Sequence, residues 1–395
     1  MGRRVMVAGV GMVPFAKPSA AKTYDDMGAG AVKSALDDAG LPYHRIQQVY
    51  AGYVYGDSTC GQRVVYRFGK TRVPVLNVNN NCASGSSALW LARQAVESGA
   101  VDCALAVGFE QMPPGALGAK WADRPTPLTD FAATLREVHA VDPDLPMTPQ
   151  YFAAAGAEYT ARYGMAPETF AKVSVKARTH AAGNPYAVFR DPITLDDVLG
   201  SPTVAGTLTR LQCCPPTCGA AAAIVCSEEF ARAHGLSPKV AIAAQTLQSD
   251  ADDLFDKKSA MSLVGTDVTR AAAAEVYEKA GVDPRDIKVV ELHDCFTVNE
   301  VLTYEGLGLC PEGGAEKFIL DGDNTYGGQV VTNPSGGLLS KGHPLGATGL
   351  AQTAEITWQL RGEAGARQVE GATLGLQHNL GLGTAGVVTL FEKVS

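Results

Sequence analysis

The chain has 395 residues, of which 46% are hydrophobic and 19% charged, with a formal charge of −8 at pH 7 and an isoelectric point near 5.4. That length exceeds one ordinary core, so two or three units sharing an interior are expected. No apolar run reaches eighteen residues and no block of lysine and arginine occurs, which argues against a membrane span and against nucleic acid as a partner.

Met1 to Arg4 followed by Val5 to Gly11 imitates a secretory signal, but Gly9, Gly11 and Pro14 break the apolar segment, and a first strand with a turn is expected. Gly9-x-Gly11-x-x-Pro14 also lacks the third glycine of a dinucleotide fingerprint. A helical pattern over Ala31 to Gly40 leads into a strand over Ile46 to Val49. Cys82 then sits in Asn79-Asn80-Asn81-Cys82-Ala83-Ser84-Gly85, where a short extended run meets a helix. The helix dipole and free N–H groups there favour the thiolate, whereas a plain structural cysteine among small residues is the bland alternative.

Prolines crowd residues 113–149, and helices are expected at Tyr151 to Tyr163 and Pro167 to Ala182, so residues 115–204 read as an inserted loop domain over a site. Strand and helix signals resume at Thr207 to Cys226, with Ala-rich Gly219 to Val225, and at Val240 to Gln245. The helix Ala271 to Gly281 and strand Ile287 to Val290 repeat the earlier pair at one offset (280 − 39 = 287 − 46 = 241). Cys82-x-x-Gly85 and His343-x-x-Gly346 repeat at another (343 − 82 = 261), so a pseudo-twofold would bring Cys82 and His343 together. Alternating elements in both halves predict an α/β fold with mixed sheets.

After the 287–290 strand comes His293-Asp294-Cys295-Phe296, readable as reactive groups or as a satisfied histidine beside a core cysteine. Asn333 to Pro344 ends in His343, expected at a helix start, neutral and able to accept a proton. The strand Ala372 to Leu376 runs into Gln377-His378-Asn379-Leu380-Gly381-Leu382-Gly383, an oxyanion hole or an ordinary turn. Cys213, Cys214, Cys218 and Cys226 are the best zinc candidates but lack a second paired-ligand motif, so no metal is expected. Nine cysteines, an odd number, and a terminal Glu392-Lys393-Val394-Ser395 unlike a peroxisomal address place the chain in a reducing, cytoplasmic setting.

These motifs resemble those of thiolases, most closely the sterol-carrier-protein type, from Val5 to Met12, Gly56 to Arg63, Asn77 to Leu89, Leu211 to Pro215, His293 to Phe296 and Asn333 onward. The resemblance implies a thiolase fold of two similar α/β halves in five layers (αβαβα). Residues 1–114 and 205–262 would form the half carrying the nucleophile, 115–204 the loop domain, and 263–395 the second half. It implies cleavage of a 3-oxoacyl-CoA by CoA as co-substrate, giving acetyl-CoA or propionyl-CoA, with no permanently bound cofactor, in branched fatty acid or steroid side-chain degradation. Cys82 matches the acylated nucleophile, His343 its activator, and Cys295 the acid and base. His293 falls where other thiolases place asparagine, and His378, Asn379, Gly381 and Gly383 would support the oxyanion or the turn.

A homodimer or higher homo-oligomer is implied, with a lipid carrier or a small OB-fold protein as a further partner. Retro-aldolases of this superfamily lose the nucleophilic cysteine, so Cys82 counts against that reading; a non-catalytic acyl-CoA or lipid scaffold would have little need of Cys82, Cys295 and His343 together. Two departures stand out: Cys218 replaces an acidic residue of close relatives, and the chain ends without a lipid-transfer domain. Arg178, His180 and Lys258 are basic residues that could meet CoA phosphates, but no motif fixes them and each reads mainly as a solvated surface charge.

Overall fold

The computed structural model describes residues 2–113, 121 and 123–394, so Met1, residues 114–120 (Pro114 and the expected start of the loop domain among them), Ala122 and Ser395 lie outside the described residues. Val5–Met12, buried throughout, is strand β1 and is followed by helix α1, Tyr24–Ala39. This helix starts seven residues before the apolar periodicity does, with Asp25 and Asp26 in its first turn opposing the dipole, and it ends on Gly40 at φ +64°. β2 (Gln48–Gly52) and the short β3 (Val75–Val78) lead to helix α2, Ser84–Glu97, and β4 (Cys103–Glu110) follows.

Between β4 and β7 lie helices α3 (Met147–Tyr163) and α4 (Pro167–Ala181) and a small hairpin, β5 (Thr203–Ala205) with β6 (Leu208–Thr209). Gly219–Ser227 is strand β7 in spite of its alanines. It lies between β1 and β4 with helices packed on both faces, and only small side chains let those helices approach, so tertiary fit overrides helix propensity. Next come β8 (Val240–Gln248), α5 (Thr266–Ala280), β9 (Val289–Glu291), α6 (Thr297–Gly306), β10 (Val331–Thr332), α7 (Thr348–Arg361), β11 (Leu374–Gly381) and β12 (Ala385–Lys393).

Strand order is β10-β9-β11-β12-β8-β1-β7-β4-β2-β3, which divides into two five-strand halves of equivalent order joined where Met6 of β1 pairs with Ala241 of β8. α1 covers the first half and α5 the second, while α2 and α7 lie between the halves, which gives the five layers. Gly85 and Gly349 make this inner layer close: a Cβ on Gly85 would stand 2.5 Å from the Gly346 oxygen, and one on Gly349 would stand 2.0 Å from Ser86 Oγ.

The duplication holds with one change of register. α1 and α5 end 241 apart, as the sequence predicts, but α2 and α7 share bounds at an offset of 264 (348 − 84 = 361 − 97), not 261. Small residues recurring every three or four positions tolerate a slip of nearly one helical turn, so the pattern alone misplaced it. His343 therefore lies five residues before its helix, in the loop after β10, rather than at the helix start.

Candidate active site

β2, β3 and β4 run parallel, as do β9, β10 and β11, and the reactive side chains gather beyond their carboxyl ends, where α/β sheets place ligands. Cys82 follows β3, one residue before the Ala83 cap of α2. Its loop is pinned: Asn80 Nδ2 donates to Ser87 Oγ (2.9 Å), and Asn81, at φ +52°, donates to the Leu382 carbonyl (3.1 Å). Gly381 closes this contact from the second half, since a Cβ there would meet the Asn80 oxygen at 2.1 Å.

His343 is buried, and its Nδ1 lies 2.7 Å from Thr348 Oγ1. Thr348 donates its own proton to the Pro344 carbonyl (3.0 Å), so it accepts Nδ1–H, and His343 carries its lone pair on Nε2. That Nε2 is buried and has no hydrogen-bond partner among the described residues. His293 is set the other way. Gln377 Nε2 donates to Ser86 Oγ (2.6 Å), Ser86 donates to Asn379 Oδ1 (2.8 Å), and the Asn379 amide donates to His293 Nδ1 (3.0 Å). His293 thus bears its proton on Nε2.

The two rings meet edge to face, centroids 5.0 Å apart at 84°. One ligating atom from each of Cys82, His293 and His343 lies within 4.8 Å of the other two. The cluster combines a thiol with one imidazole set to accept a proton and one set to donate.

Burial dominates the electrostatics. It pushes the Cys82 thiol up to about 12, with the Glu110 carboxylate adding to the effect. The expectation of a lowered thiol value is corrected: the helix end offers too little to offset desolvation. His343 falls to about 3 through burial and then Lys341, and His293 falls well below its usual value through burial and then its histidine neighbours. Both imidazoles are neutral; this was expected for His343, but the cause is burial rather than a helix terminus.

Cys295 is buried beside the cap of α6, and its thiol is raised by burial and then by Cys214, Cys82 and Asp294. Its carbonyl accepts the Cys214 N–H (2.9 Å). Asp294 accepts N–H groups of Leu338 (2.7 Å) and Leu339 (3.2 Å), and Glu291 takes Ser335 and Lys341, so the loops after β9 and β10 are fastened together.

Gln377 to Gly381 is strand, not turn; the bend is at Leu382 to Thr384, with Gly383 exposed at its tip. His378 lies away from the cluster: Nδ1 accepts the His293 N–H (3.5 Å) and Nε2 faces Thr269 of α5 (3.0 Å), so it supports a neighbour's backbone.

Cys226 lies opposite Cys103 across β4 and β7 and does not join Cys213 and Cys214 as a metal cluster. The Cys218 sulfur, buried, accepts the Met112 N–H (3.2 Å), which closes that loop without a carboxylate. His180 is no surface charge: it is buried between the Asn333 carbonyl (3.0 Å) and Thr325 Oγ1 (2.7 Å). Arg178 lies partly buried with its guanidinium over the Phe189 ring (4.5 Å), and Lys258 is exposed and pairs with Glu137.

Glu110 and Thr348 carry no sequence motif of their own. Glu110, buried at the end of β4, accepts N–H groups from Val54 (3.1 Å), Tyr55 (2.8 Å) and Gly346 (3.0 Å), tying the two halves beneath Cys82. A carboxylate closing the apolar run Cys103 to Phe109 was the available signal.

A fold of two equivalent α/β halves with a thiol and two histidines where they meet defines a thiolase-type protein. The chain belongs to the thiolase superfamily, sterol-carrier-protein type: residues 5–229 match the family described as "Thiolase, N-terminal domain" and 255–392 match "Thiolase C-terminal domain-like". It is similar to sterol carrier protein 2 of Gallus gallus, at 54% identity over 99% of this chain and 72% of the relative. Among solved structures it is similar to the "Ltp2-ChsH2(DUF35) aldolase" (TM-score 0.81, 25% identity, 99% of this chain and 98% of that one). The fold also matches human mitochondrial 3-ketoacyl-CoA thiolase in complex with CoA (TM-score 0.76, 19% identity, 100% and 98% covered). The chain is thus a thiolase-family acyltransferase, and among the described residues no helix is long and apolar enough to cross a membrane.

Proposed function

We propose that this protein cleaves a 3-oxoacyl-CoA with CoA through an acyl group carried on Cys82. The Cys82 proton passes to His343 Nε2 as the sulfur attacks the 3-oxo carbon; a thiol raised by burial requires that the two movements be coupled. Cleavage of the bond between carbons 2 and 3 leaves an acyl-Cys82 and an acetyl-CoA or propionyl-CoA enolate. Its oxygen is held by His293 Nε2–H and the newly protonated His343. Cys295 protonates the enolate carbon, then removes the proton of the incoming CoA thiol, which attacks the acyl-Cys82. The Cys82 N–H and a backbone N–H of the Gly381 to Gly383 segment stabilise the tetrahedral intermediate.

The observation that carries this reading is the opposite tautomers of His343 and His293 beside one thiol. Residues 115–204 act as the loop domain that shapes substrate entry. Its α3 stacks Phe152 on Phe296 (ring centroids 4.4 Å apart), the residue that follows Cys295. The substrate is a branched or steroid-bearing acyl-CoA, in keeping with the likeness to sterol carrier protein 2. Nine free cysteines suit a reducing cytoplasmic setting. β3, a sheet edge with Leu76 40% exposed, suits pairing with a second copy.

The likeness to the Ltp2-ChsH2(DUF35) aldolase favours a second reading, carbon–carbon cleavage with a small OB-fold partner and no acyl-enzyme. Incubation with candidate 3-oxoacyl-CoA esters and mass spectrometry separates the two. An acyl adduct on Cys82 that disappears on adding CoA is expected; cleavage of the matching 3-hydroxyacyl-CoA, which a retro-aldol step requires, undiminished in Cys82→Ser selects the aldolase.

A further inference from the structure

Cys82 Sγ and one ring nitrogen each of His293 and His343 form a donor set of one sulfur and two imidazoles within 4.8 Å of one another. Thiophilic borderline cations such as Zn²⁺ take that set, with bonds of about 2.3 Å to sulfur and about 2.1 Å to nitrogen. An ion between the sulfur and one nitrogen would span about 4.4 Å when collinear, and a tetrahedral seat asks the side chains to close by roughly a further 1 Å. Two features beyond spacing point to a ligand. His343 Nε2 is buried and unpartnered, with its lone pair fixed there by the Thr348 contact at Nδ1. The buried Glu110 carboxylate acts on the Cys82 sulfur and would offset the single positive charge left by a divalent cation on a thiolate.

We propose that Cys82, His293 and His343 bind one thiophilic divalent cation of the Zn²⁺ class, and that the bound ion holds the protein inactive. The Sγ–metal bond replaces the S–H bond, whose proton leaves to solvent, and no oxidation state changes. His293 joins through Nε2 after its proton moves to Nδ1, with the Asn379 amide turned to present its oxygen. That rearrangement makes the site weaker than a dedicated structural one and therefore reversible. The inhibition rests on the thiolysis reading; the binding does not.

The full chain, stripped with a chelator, is titrated with Co²⁺ and then Zn²⁺ while near-ultraviolet thiolate-to-cobalt charge transfer is followed. One Co²⁺ per chain, displaced by Zn²⁺, is expected, with the band lost in Cys82→Ser and affinity at least tenfold weaker in His343→Gln. Asn379→Asp, which would accept Nδ1–H outright, is expected to tighten binding roughly tenfold or more. Cys213→Ser, outside the group, should leave the band unchanged. A band that persists in Cys82→Ser, or no band in the unmodified chain, overturns the site. Thiolysis unaffected by stoichiometric Zn²⁺ overturns the inhibition alone, and metal binding by a metal-free form that never cleaves substrate overturns the thiolysis reading alone.

Discussion

Thr348→Val isolates the part of the mechanism that depends on which nitrogen of His343 carries the proton. Valine keeps the shape but removes the oxygen that accepts Nδ1–H at 2.7 Å within a buried site. In the resting protein the neutral ring can escape part of this loss by moving its proton to Nε2, but that form no longer accepts the Cys82 proton. In the transition state the ring is charged, both nitrogens bear protons, and Nδ1–H is left unpaired. An unpaired buried donor costs about 1–3 kcal/mol, equivalent to a loss of roughly 5- to 150-fold in rate. The loss should fall on kcat with KM nearly constant, and Thr348→Ser should restore most of it. Steady-state thiolysis by release of acetyl-CoA or propionyl-CoA reads both constants. A change below twofold in kcat, or a loss confined to KM, would refute the tautomer argument.

Replacing Glu110 with Gln removes the charge that adds to the raised Cys82 value, so the thiol should ionise at lower pH. Iodoacetamide labelling of Cys82 across pH should then shift toward acid, and a shift toward alkali would contradict the assignment. Cys295→Ala should still form acyl-Cys82 slowly but lose transfer to CoA, by roughly 10²–10⁴-fold as for a general acid or base, measured by single-turnover mass spectrometry. Gly85→Ala forces a Cβ within 2.5 Å of the Gly346 oxygen and should lower unfolding free energy by about 1–3 kcal/mol in denaturant titrations. His180 (about 4), His343 and His378 (about 3), and His293, well below its usual value, are all buried and lowered by desolvation. Their unfolded forms bind protons below about pH 6.5 while the folded forms do not, so stability should be full above that pH and fall as pH drops toward the folded values. Urea midpoints that stay flat from pH 7 to pH 5 would contradict their burial as neutral rings.

Much of the architecture was legible because it depends on periodicity and on glycine. The ends of α1 and α5 at Gly40 and Gly281 were written in spacing, whereas Cys82 and His343 do meet but at a helix offset three residues away from the one the spacing suggested. What escaped depends on three-dimensional neighbours. The alanines of Gly219 to Val225 left helix and strand undecided, and the two covered faces of β7 decide for strand. The Cys82 thiol value followed burial, which no local motif reports, and His378 and Asn379, adjacent in sequence, serve opposite faces of β11. Glu110 reaches Gly346, more than two hundred positions away, and Thr348 reaches the loop His343 five positions before it, so neither forms a motif with the cysteine.

The meeting of the halves along β1 and β8 has a consequence for biogenesis. On the proposed mechanism, the sulfur that would attack leaves the ribosome with the first half, some 260 residues ahead of the imidazole that would activate it (343 − 82 = 261), and Asn379 comes later still. A nascent chain thus holds its sulfur unarmed until the final hairpin docks, and a truncated product keeps a cysteine that carries no competent base.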